Sequence, residues 1–411
     1  MFQSIKNRFS TELSHYNNLT VDARRLLLSY YLFLIAYPLF DIFINAFIWR
    51  RDNDLKQLVV YNIANCLGIL TCFYLNGLLL RRFHTLHLYS VGLFLQAVSA
   101  MMVVFSTNSS GVSTLLFGLL AGIGGGFFWA NKNYLTLILT RNSNRLYFNS
   151  LESSISLFIK ISIPLLAGVI IAVGSRFDLY SLKVAYRLVM SLGLVAILAS
   201  TYIINRSKII DVQREHLFIQ QKVSKRWQFV RLYNFMYNVI AGVEFVIPTV
   251  IVLTLLGKEG MLGLVTSATA ALSGISLYIL GRKGGIAHIW RTVAIGNSLY
   301  ALAVTILAIF FNPAVALIYM AGATIGKALR FSPAHTVTME IMEGENSDGQ
   351  YAYICDNEAS FNFGRILGLS SILCFATYGQ DFVLRYLPFW LGIIAILGLI
   401  PLRKMINSLN H

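Results

Sequence analysis

The chain has 411 residues, of which 56% are hydrophobic and only 12% are charged, and its mean hydropathy is +0.66. Soluble chains carry about twice that share of charged residues, so the composition excludes a water-soluble protein and predicts a polytopic membrane protein. The formal net charge is +15. The Lys and Arg residues that produce it lie mostly between the apolar segments, where membrane insertion favours them, so the charge does not indicate nucleic-acid binding.

Residues 1–25 precede the first apolar segment and place Phe2, Ile5, Phe9 and Leu13 at helical spacing, which predicts a short helix on the membrane surface. Twelve apolar segments of spanning length follow. They lie near 26–48, 57–80, 87–105, 112–139, 149–173, 184–205, 228–256, 261–280, 287–311, 313–339, 351–377 and 383–402.

An even number of spans puts both termini on one side of the membrane. Lys and Arg residues are more numerous on that side, which predicts cytoplasmic termini and a place in the bacterial inner membrane. The longest loop, 206–226, is basic and separates an N-terminal bundle, 26–205, from a C-terminal bundle, 227–402. We expect this loop to be a linker at the inner leaflet, and 403–411 to be a cytoplasmic tail.

The two halves resemble one another. "AGIGGGFFWANKN" in span four aligns with "AGATIGKALRFSP" in span ten, and "YFNSLESSISLFIK" in span five aligns with "YICDNEASFNFGR" in span eleven. Two adjacent spans that repeat in order predict an internal duplication. Gly118, Gly122 and Gly126 in span four recur every four residues and predict a flat helix face for close packing.

Six spans, a central basic loop and six further spans in a duplicated chain resemble the major facilitator superfamily of secondary transporters. The loop "GLLLRRFHTL" keeps Gly77 and Arg82 of that superfamily's loop signature, whereas Arg81 and His84 stand where an acid and a second glycine are usual. The resemblance implies an all-α membrane protein of twelve helices in two pseudo-symmetric six-helix bundles. It further implies alternating access, with spans 1, 4, 7 and 10 around a central cavity.

Ionisable residues inside the spans follow the arrangement that the resemblance implies. A charge in hydrocarbon costs several kcal/mol unless it faces a cavity or a partner. The charges fall in the cavity-lining spans and in spans five and eleven beside them. They are Asp41, Lys132, Glu152, Lys160, Glu244, Lys327, Arg330, Asp356, Glu358 and Arg365.

Three cations, Lys160, Lys327 and Arg365, fall near the membrane midplane with no acid at the same depth. We therefore predict that they bind a negatively charged group of the solute. The residues predicted to complete this site are Lys132, Asn131, Trp129 and Asn362.

The charged residues nearer the membrane face that carries the termini are predicted to form ion pairs instead. We expect Lys132 to pair with Glu152 and Arg330 with Glu358, with Asp356 in the same group. These pairs either close the mouth of the cavity as a gate or serve packing alone. A basic loop, "TRNSNRLYF", and its acidic counterpart, "EIMEGENSDGQ", either attract each other across the same mouth or are separately solvated.

Asp41 and Glu244 lie towards the opposite side and are the predicted proton-coupling residues, because a carboxyl in a low-dielectric cavity can load and release a proton. The alternative is that they only accept hydrogen bonds from Tyr37 or Tyr237. "SIPLLAG" keeps Pro164 and Gly168 of the antiporter signature of the superfamily that the chain resembles, which favours export.

No set of residues predicts a cofactor, a metal site or catalysis. The four cysteines have neither metal-site nor redox spacing, and "GATIGKA" in span ten lacks the spacing of a phosphate loop. We expect a secondary transporter, monomeric among membrane lipids, that moves a small anionic or amphipathic solute in exchange with protons or a counter-ion. The alternatives are an uptake permease or exchanger for an organic anion, a non-transporting sensor, and a membrane enzyme.

Overall fold

The computed structural model of the protein describes residues 16, 19–106, 110–140, 142–207, 223–283, 288–344 and 350–409. This part of the chain forms twelve helices long and apolar enough to cross a membrane, as predicted, and contains no strand. The predicted surface helix near the N-terminus, most of the basic linker and residues 345–349 of the predicted acidic loop lie outside the described residues. The first residues of that loop, Glu340 to Glu343, are helical instead.

The helices of the first half are α1 (Val21–Asp52), α2 (Leu55–Leu79), α3 (Thr85–Phe105), α4 (Gly111–Leu139), α5 (Asn142–Arg176) and α6 (Leu182–Ile204). Those of the second half are α7a (Lys225–Glu244), α7b (Ile247–Ile251), α8 (Glu259–Lys283), α9 (Ile289–Ile309), α10 (Pro313–Glu343), α11 (Gln350–Ala376), α12a (Gln380–Leu397) and α12b (Leu399–Leu409). The helix α5 begins seven residues before the predicted start at 149, so the basic stretch expected to be a loop is largely helical.

Polar residues fix the starts of several helices. Thr20 accepts a hydrogen bond from the backbone N–H of Ala23 at the start of α1 (3.1 Å), and Ser224 does the same for α7a. At the turn between α9 and α10, Asn312 caps the helix and Pro313 occupies its first position, where the missing N–H of proline costs nothing. An apolar segment of spanning length with a capping residue before it therefore explains where these helices begin.

The seventh span is interrupted, where a single helix over 228–256 was predicted. The helix α7a ends at Glu244, the short helix α7b starts at Ile247, and a π-helix follows over Val252–Leu256. Pro248 stands in the first turn of α7b, where it cannot donate a backbone hydrogen bond to the preceding turn. Gly257 (φ +77°) then ends the span.

Helix packing repeats between the halves. In the first half α2 packs on α4, α3 packs on α4 and α6, and α1 packs on α5; in the second, α8 packs on α10, α9 on α10 and α12a, and α7a on α11. The halves meet where α5 contacts α8 and where α2 contacts α11. The same neighbours at equivalent positions give the pseudo-symmetric pair of six-helix bundles that was expected.

Glycines allow the closest of these contacts. A Cβ atom added at Gly122 would lie 2.0 Å from the carbonyl oxygen of Asn65 in α2, and one at Gly118 would lie 2.2 Å from that of Tyr61. The predicted flat face of α4 is therefore confirmed, and its partner is α2.

Candidate functional site

Asp41 lies in the middle of α1, yet its side chain is exposed, which indicates a cavity within the bundle. Its charged neighbours are Lys160 of α5, Lys327 of α10 and Arg365 of α11. These are the three cations that the sequence placed near the midplane, and the structure brings them together around one carboxylate. Tyr37, one helical turn before Asp41, is its aromatic neighbour.

Amides connect this region to the contact between the halves. The Asn45 side chain donates to the carbonyl oxygen of Phe245 across that contact (3.3 Å), at the interruption of the seventh span. Asn62 of α2 donates to Asn45 Oδ1 (2.8 Å). The polar residues of the first two spans thus converge on a backbone carbonyl that the interruption leaves without a helical partner.

Two of the three midplane cations have acid partners, contrary to the prediction. Lys327 Nζ lies 3.2 Å from Glu244 Oε2, and Arg365 Nη1 lies 3.6 Å from Glu358 Oε1. Lys327 nevertheless keeps 47% of its side chain exposed. Lys160 is exposed and forms no ion pair with any described residue.

Glu244 sits between two cations. Besides Lys327, it accepts from Arg330 Nη2 at 3.3 Å, and the Arg330 side chain is only 2% exposed. The Arg330 guanidinium also stacks on the Tyr300 ring at 4.3 Å. The predicted pair between Arg330 and Glu358 is therefore wrong, because Arg330 lies on the face of α10 that packs against α7a and α9.

Asn362 holds the Glu358 side chain in place. Its amide donates to Glu358 Oε1 (2.9 Å), and its oxygen accepts from Arg365 Nη1 (3.4 Å). Arg365 also donates through Nε to Asn238 Oδ1 of α7a (3.1 Å). Asn362 is fully buried, so it supports the two charged side chains from behind.

Lys132 and Glu152 form the ion pair expected between spans four and five, with 2.6 Å between Nζ and Oε1. The Lys132 ammonium also lies 4.5 Å from the centre of the Tyr30 ring. Asn131 points the other way: it is completely buried and donates to Asn76 Oδ1 of α2 (2.6 Å). Asn131 thus belongs to helix packing in this conformation, contrary to its expected contact with the solute.

Trp129 belongs to an aromatic wall that α1 and α4 form together. Its ring packs edge-on against Phe33 (5.8 Å between centroids) and Tyr37 (6.3 Å). Trp129 and Tyr37 are half-buried. The wall runs from Tyr30, beside Lys132, to Tyr37, beside Asp41, and gives one side of the cavity an apolar lining.

Asp356 pairs with a residue that the sequence did not single out. It accepts from Arg231 Nε at 2.7 Å and from Trp227 Nε1 at 2.6 Å, both in α7a. Arg231 follows Trp227 by one helical turn, a signal that the sequence contains. Arg231 lies only three residues inside the predicted start of the span at 228, where a cation is common, so its position alone does not indicate Asp356 as its partner.

A further unpredicted ion pair lies on the face opposite the termini. Arg50, at the end of α1, places Nε 2.6 Å from Glu259 Oε1 at the start of α8. Its Nη2 donates to the carbonyl oxygen of Gly257 (2.7 Å). Among the described residues this is the ion pair that joins the two halves, and we call it the outer clasp.

No His, Cys, Asp and Glu side chains in the described part of the chain gather in a group of three or more that could hold a metal ion.

No protein-family model matches the chain. It is 23% identical over 347 residues to the uncharacterized protein YqgE of Bacillus subtilis, a match that covers 84% of this chain and 79% of that protein. Its fold is similar to that of a bacterial homologue of the iron transporter ferroportin in an inward-facing state, with a TM-score of 0.72, 17% identity and coverage of 94% and 98% of the two chains. It is also similar to a proton-dependent oligopeptide transporter, with a TM-score of 0.68, 13% identity and the same coverage.

Proposed function

Because the chain has the fold of major facilitator superfamily transporters, we propose that it is a secondary transporter for a small anionic or amphipathic solute. Proteins of similar fold carry different solutes, among them iron and peptides, so the fold does not identify this one. The proposal rests on one observation: Lys160 is exposed inside the cavity, and no described acid pairs with it.

A lone ammonium at this depth is unfavourable unless something compensates its charge. Its charged neighbours are Lys327 and, at longer than ion-pair distance, Asp41, and the like charges of the two lysines repel each other. A bound anion compensates the charge of Lys160 and also weakens its repulsion with Lys327. Because Lys160 belongs to the first half and Lys327 to the second, such an anion touches both halves, as alternating access requires.

The aromatic wall supports an apolar body on the same solute. Trp129 and Tyr37 are half-buried beside the charged cluster, so a flat or apolar group can pack on them while its charged end reaches the lysines. Arg365 borders the same space from α11, held by the buried Asn362, and the pair of Lys132 and Glu152 lies nearer the termini.

Asp41 is our candidate for coupling to protons. It faces three cations without a hydrogen bond or ion pair to any described side chain, so its charge can change without disrupting packing. Glu244, the second candidate, is held by Lys327 and Arg330. We assign it the role of an ion-pair partner within the second half, with proton coupling as the alternative.

We propose export in exchange for protons as the direction, with the termini in the cytoplasm of a bacterial cell. Pro164 and Gly168 of α5 meet Gly263 of α8: a Cβ added at Gly263 would lie 2.3 Å from the Pro164 carbonyl oxygen. The short antiporter-like segment therefore lies where the halves touch. Uptake or exchange of an organic anion is the alternative.

Two ion pairs serve as gates in this scheme. The pair of Lys132 and Glu152 borders the cavity nearer the termini, and the outer clasp must break for the other face to open. Glu358 and Asp356, the other predicted gate acids, pair within the second half, and we propose that they keep that half rigid.

Transport in proteoliposomes tests the proposal. Uptake of radiolabelled organic monoanions is measured for the unaltered protein and for Lys160→Ala, Lys327→Ala and Arg365→Ala. We expect Lys160→Ala to weaken the apparent affinity at least about tenfold, the effect of losing one charge-assisted contact. Lys183→Ala, an exposed change of the same kind, is the matched control. Unchanged affinity in all three cavity variants would refute the anion site.

A further inference from the structure

The charges of the cavity do not cancel. Among the described residues, four basic side chains meet three carboxylates there. The basic ones are Lys160, Lys327, Arg330 and Arg365, and the acids are Asp41, Glu244 and Glu358. One positive charge is therefore in excess when every group is ionised.

The ion pairs nearby do not alter that excess. Lys132 pairs with Glu152, and Arg231 pairs with Asp356, so each pair is neutral as a unit. The excess thus belongs to the space around Lys160, which has no described acid partner.

Asp41 is the acid in this cluster that nothing fixes. Glu244 and Glu358 each lie within ion-pair distance of an Arg side chain. The Asp41 carboxylate instead faces Lys160, Lys327 and Arg365 together at longer range. The remaining ionisable groups near it are Tyr37 of α1 and Tyr61 of α2, which are neutral as phenols. Asp41 therefore controls the local charge without holding a helix in place.

We propose that Asp41 sets the number of negative charges on the solute that the cavity accepts. With Asp41 ionised, one excess positive charge selects a monoanion, because a monoanion makes the loaded cavity neutral. With Asp41 neutralised, the excess rises to two and a dianion fits better. This inference rests on the proposed anion transport and assigns its charge specificity to one residue.

Lys160 affects the charge of the cavity in the opposite direction. Replacing Lys160 by a neutral residue leaves three basic side chains and three carboxylates in the cluster. The preference then moves to an uncharged solute of the same shape. The two substitutions shift the preferred charge in opposite directions, which packing damage alone does not do.

Three probes that share one benzene ring test the inference: benzamide (neutral), benzoate (monoanion) and the larger phthalate (dianion). Their ring suits the aromatic wall of Trp129 and Tyr37. Thermal stabilisation of the purified full chain in detergent is measured against probe concentration, at one fixed pH and ionic strength. Asp178→Asn and Lys56→Gln make the same charge changes at exposed positions and serve as controls.

We expect the unaltered protein and both controls to bind benzoate most tightly. Asp41→Asn should shift the ratio of phthalate to benzoate affinity at least about tenfold towards phthalate, since one unit charge inside a protein is worth that much or more. Lys160→Gln should lose the preference for benzoate over benzamide.

The outcomes separate this inference from the proposed function. If benzoate binds the unaltered protein best and Asp41→Asn keeps the same order of probes, Asp41 does not set the charge, while the anion site stands. If neither benzoate nor phthalate stabilises the unaltered protein, both the inference and the anion site are refuted.

Discussion

Replacing Glu244 by glutamine tests whether the buried pair with Arg330 holds the second half together. The two side chains are 7% and 2% exposed, and 3.3 Å separates Arg330 Nη2 from Glu244 Oε1. Glutamine keeps the shape of glutamate but removes its charge. The Arg330 guanidinium then remains buried without a counter-charge.

The size of the effect follows from what else Arg330 contacts. Its Nε donates to the Gly326 carbonyl oxygen at 3.2 Å, its Nη1 has no hydrogen-bond partner, and its guanidinium stacks on Tyr300. The stacking contributes about 1–2 kcal/mol at a desolvated site. Breaking a buried ion pair on one side costs about 3–5 kcal/mol, so we expect Glu244→Gln to lower stability by about that amount.

A thiol-reactive dye provides the assay in a Cys374→Ser background, because Cys374 is exposed whereas Cys66, Cys72 and Cys355 are buried and become reactive on unfolding. Melting in detergent is compared for the unaltered protein and Glu244→Gln. The double variant Glu244→Gln with Arg330→Met should recover most of the loss, since an apolar residue in place of a buried charge removes the unpaired group.

Lys327→Gln is the matched control, because Lys327 is the second cation that contacts Glu244. Its side chain is 47% exposed, so water screens its interaction with Glu244 and its removal should cost about 0–1 kcal/mol. If Glu244→Gln melts like the unaltered protein, the contact between Glu244 and Arg330 does not stabilise the second half. That result would refute the ion-pair role and restore Glu244 as a proton carrier.

Three further predictions concern the clasp, the helix packing and the coupling. Arg50→Gln breaks the outer clasp, so in a Cys374→Ser background, which removes the exposed cysteine, an impermeant thiol reagent added on the face opposite the termini should label Asp41→Cys about fivefold faster, for a partly exposed pair worth roughly 1 kcal/mol. Arg51→Gln, whose partner Asp52 is its chain neighbour, should leave the labelling rate unchanged, and equal rates in both would contradict the clasp. Gly122→Ala should lower the melting temperature by an amount equivalent to about 1–3 kcal/mol, because its Cβ would meet a backbone oxygen at 2.0 Å; Gly125→Ala, with 3.7 Å to its nearest neighbour, should be neutral, and equal melting of the two variants would show that the close contact does not matter. Asp41→Asn should abolish the response of transport to a pH gradient while counterflow persists, and a full response in this variant would exclude Asp41 from coupling.

The sequence was sufficient for the spans and for the neighbourhood of the charges. Apolar length is a local property, so hydropathy located the twelve helices, and Lys132 met Glu152 because they lie on adjacent helices joined by a short connection. Ion pairs between helices that are not adjacent in the chain could not be predicted in the same way. Spacing along α10 says that Lys327 and Arg330 share a face, but the rotation of α10 decides whether that face meets Glu244 or Glu358.

The sequence contains a signal for the interruption of the seventh span. Pro248 stands three residues after Phe245, and a proline frees the backbone of the turn before it. The outer clasp had no such signal, because Arg50 and Glu259 belong to different halves and lie at the ends of helices. Pairing between them depends on how the halves are docked, which a single sequence does not encode locally.

The placement of ion pairs has a mechanical consequence. In the described residues, the charged pairs deep in the bundle link helices of the same half, and only the clasp of Arg50 and Glu259 spans the two. Within each half, ion pairs hold helices to one another, whereas at the outer end this one clasp holds the two halves together. Because dissolved salt screens exposed charges more than buried ones, ionic strength on the face opposite the termini acts on the clasp through the partly exposed Arg50 and changes how readily the two halves separate.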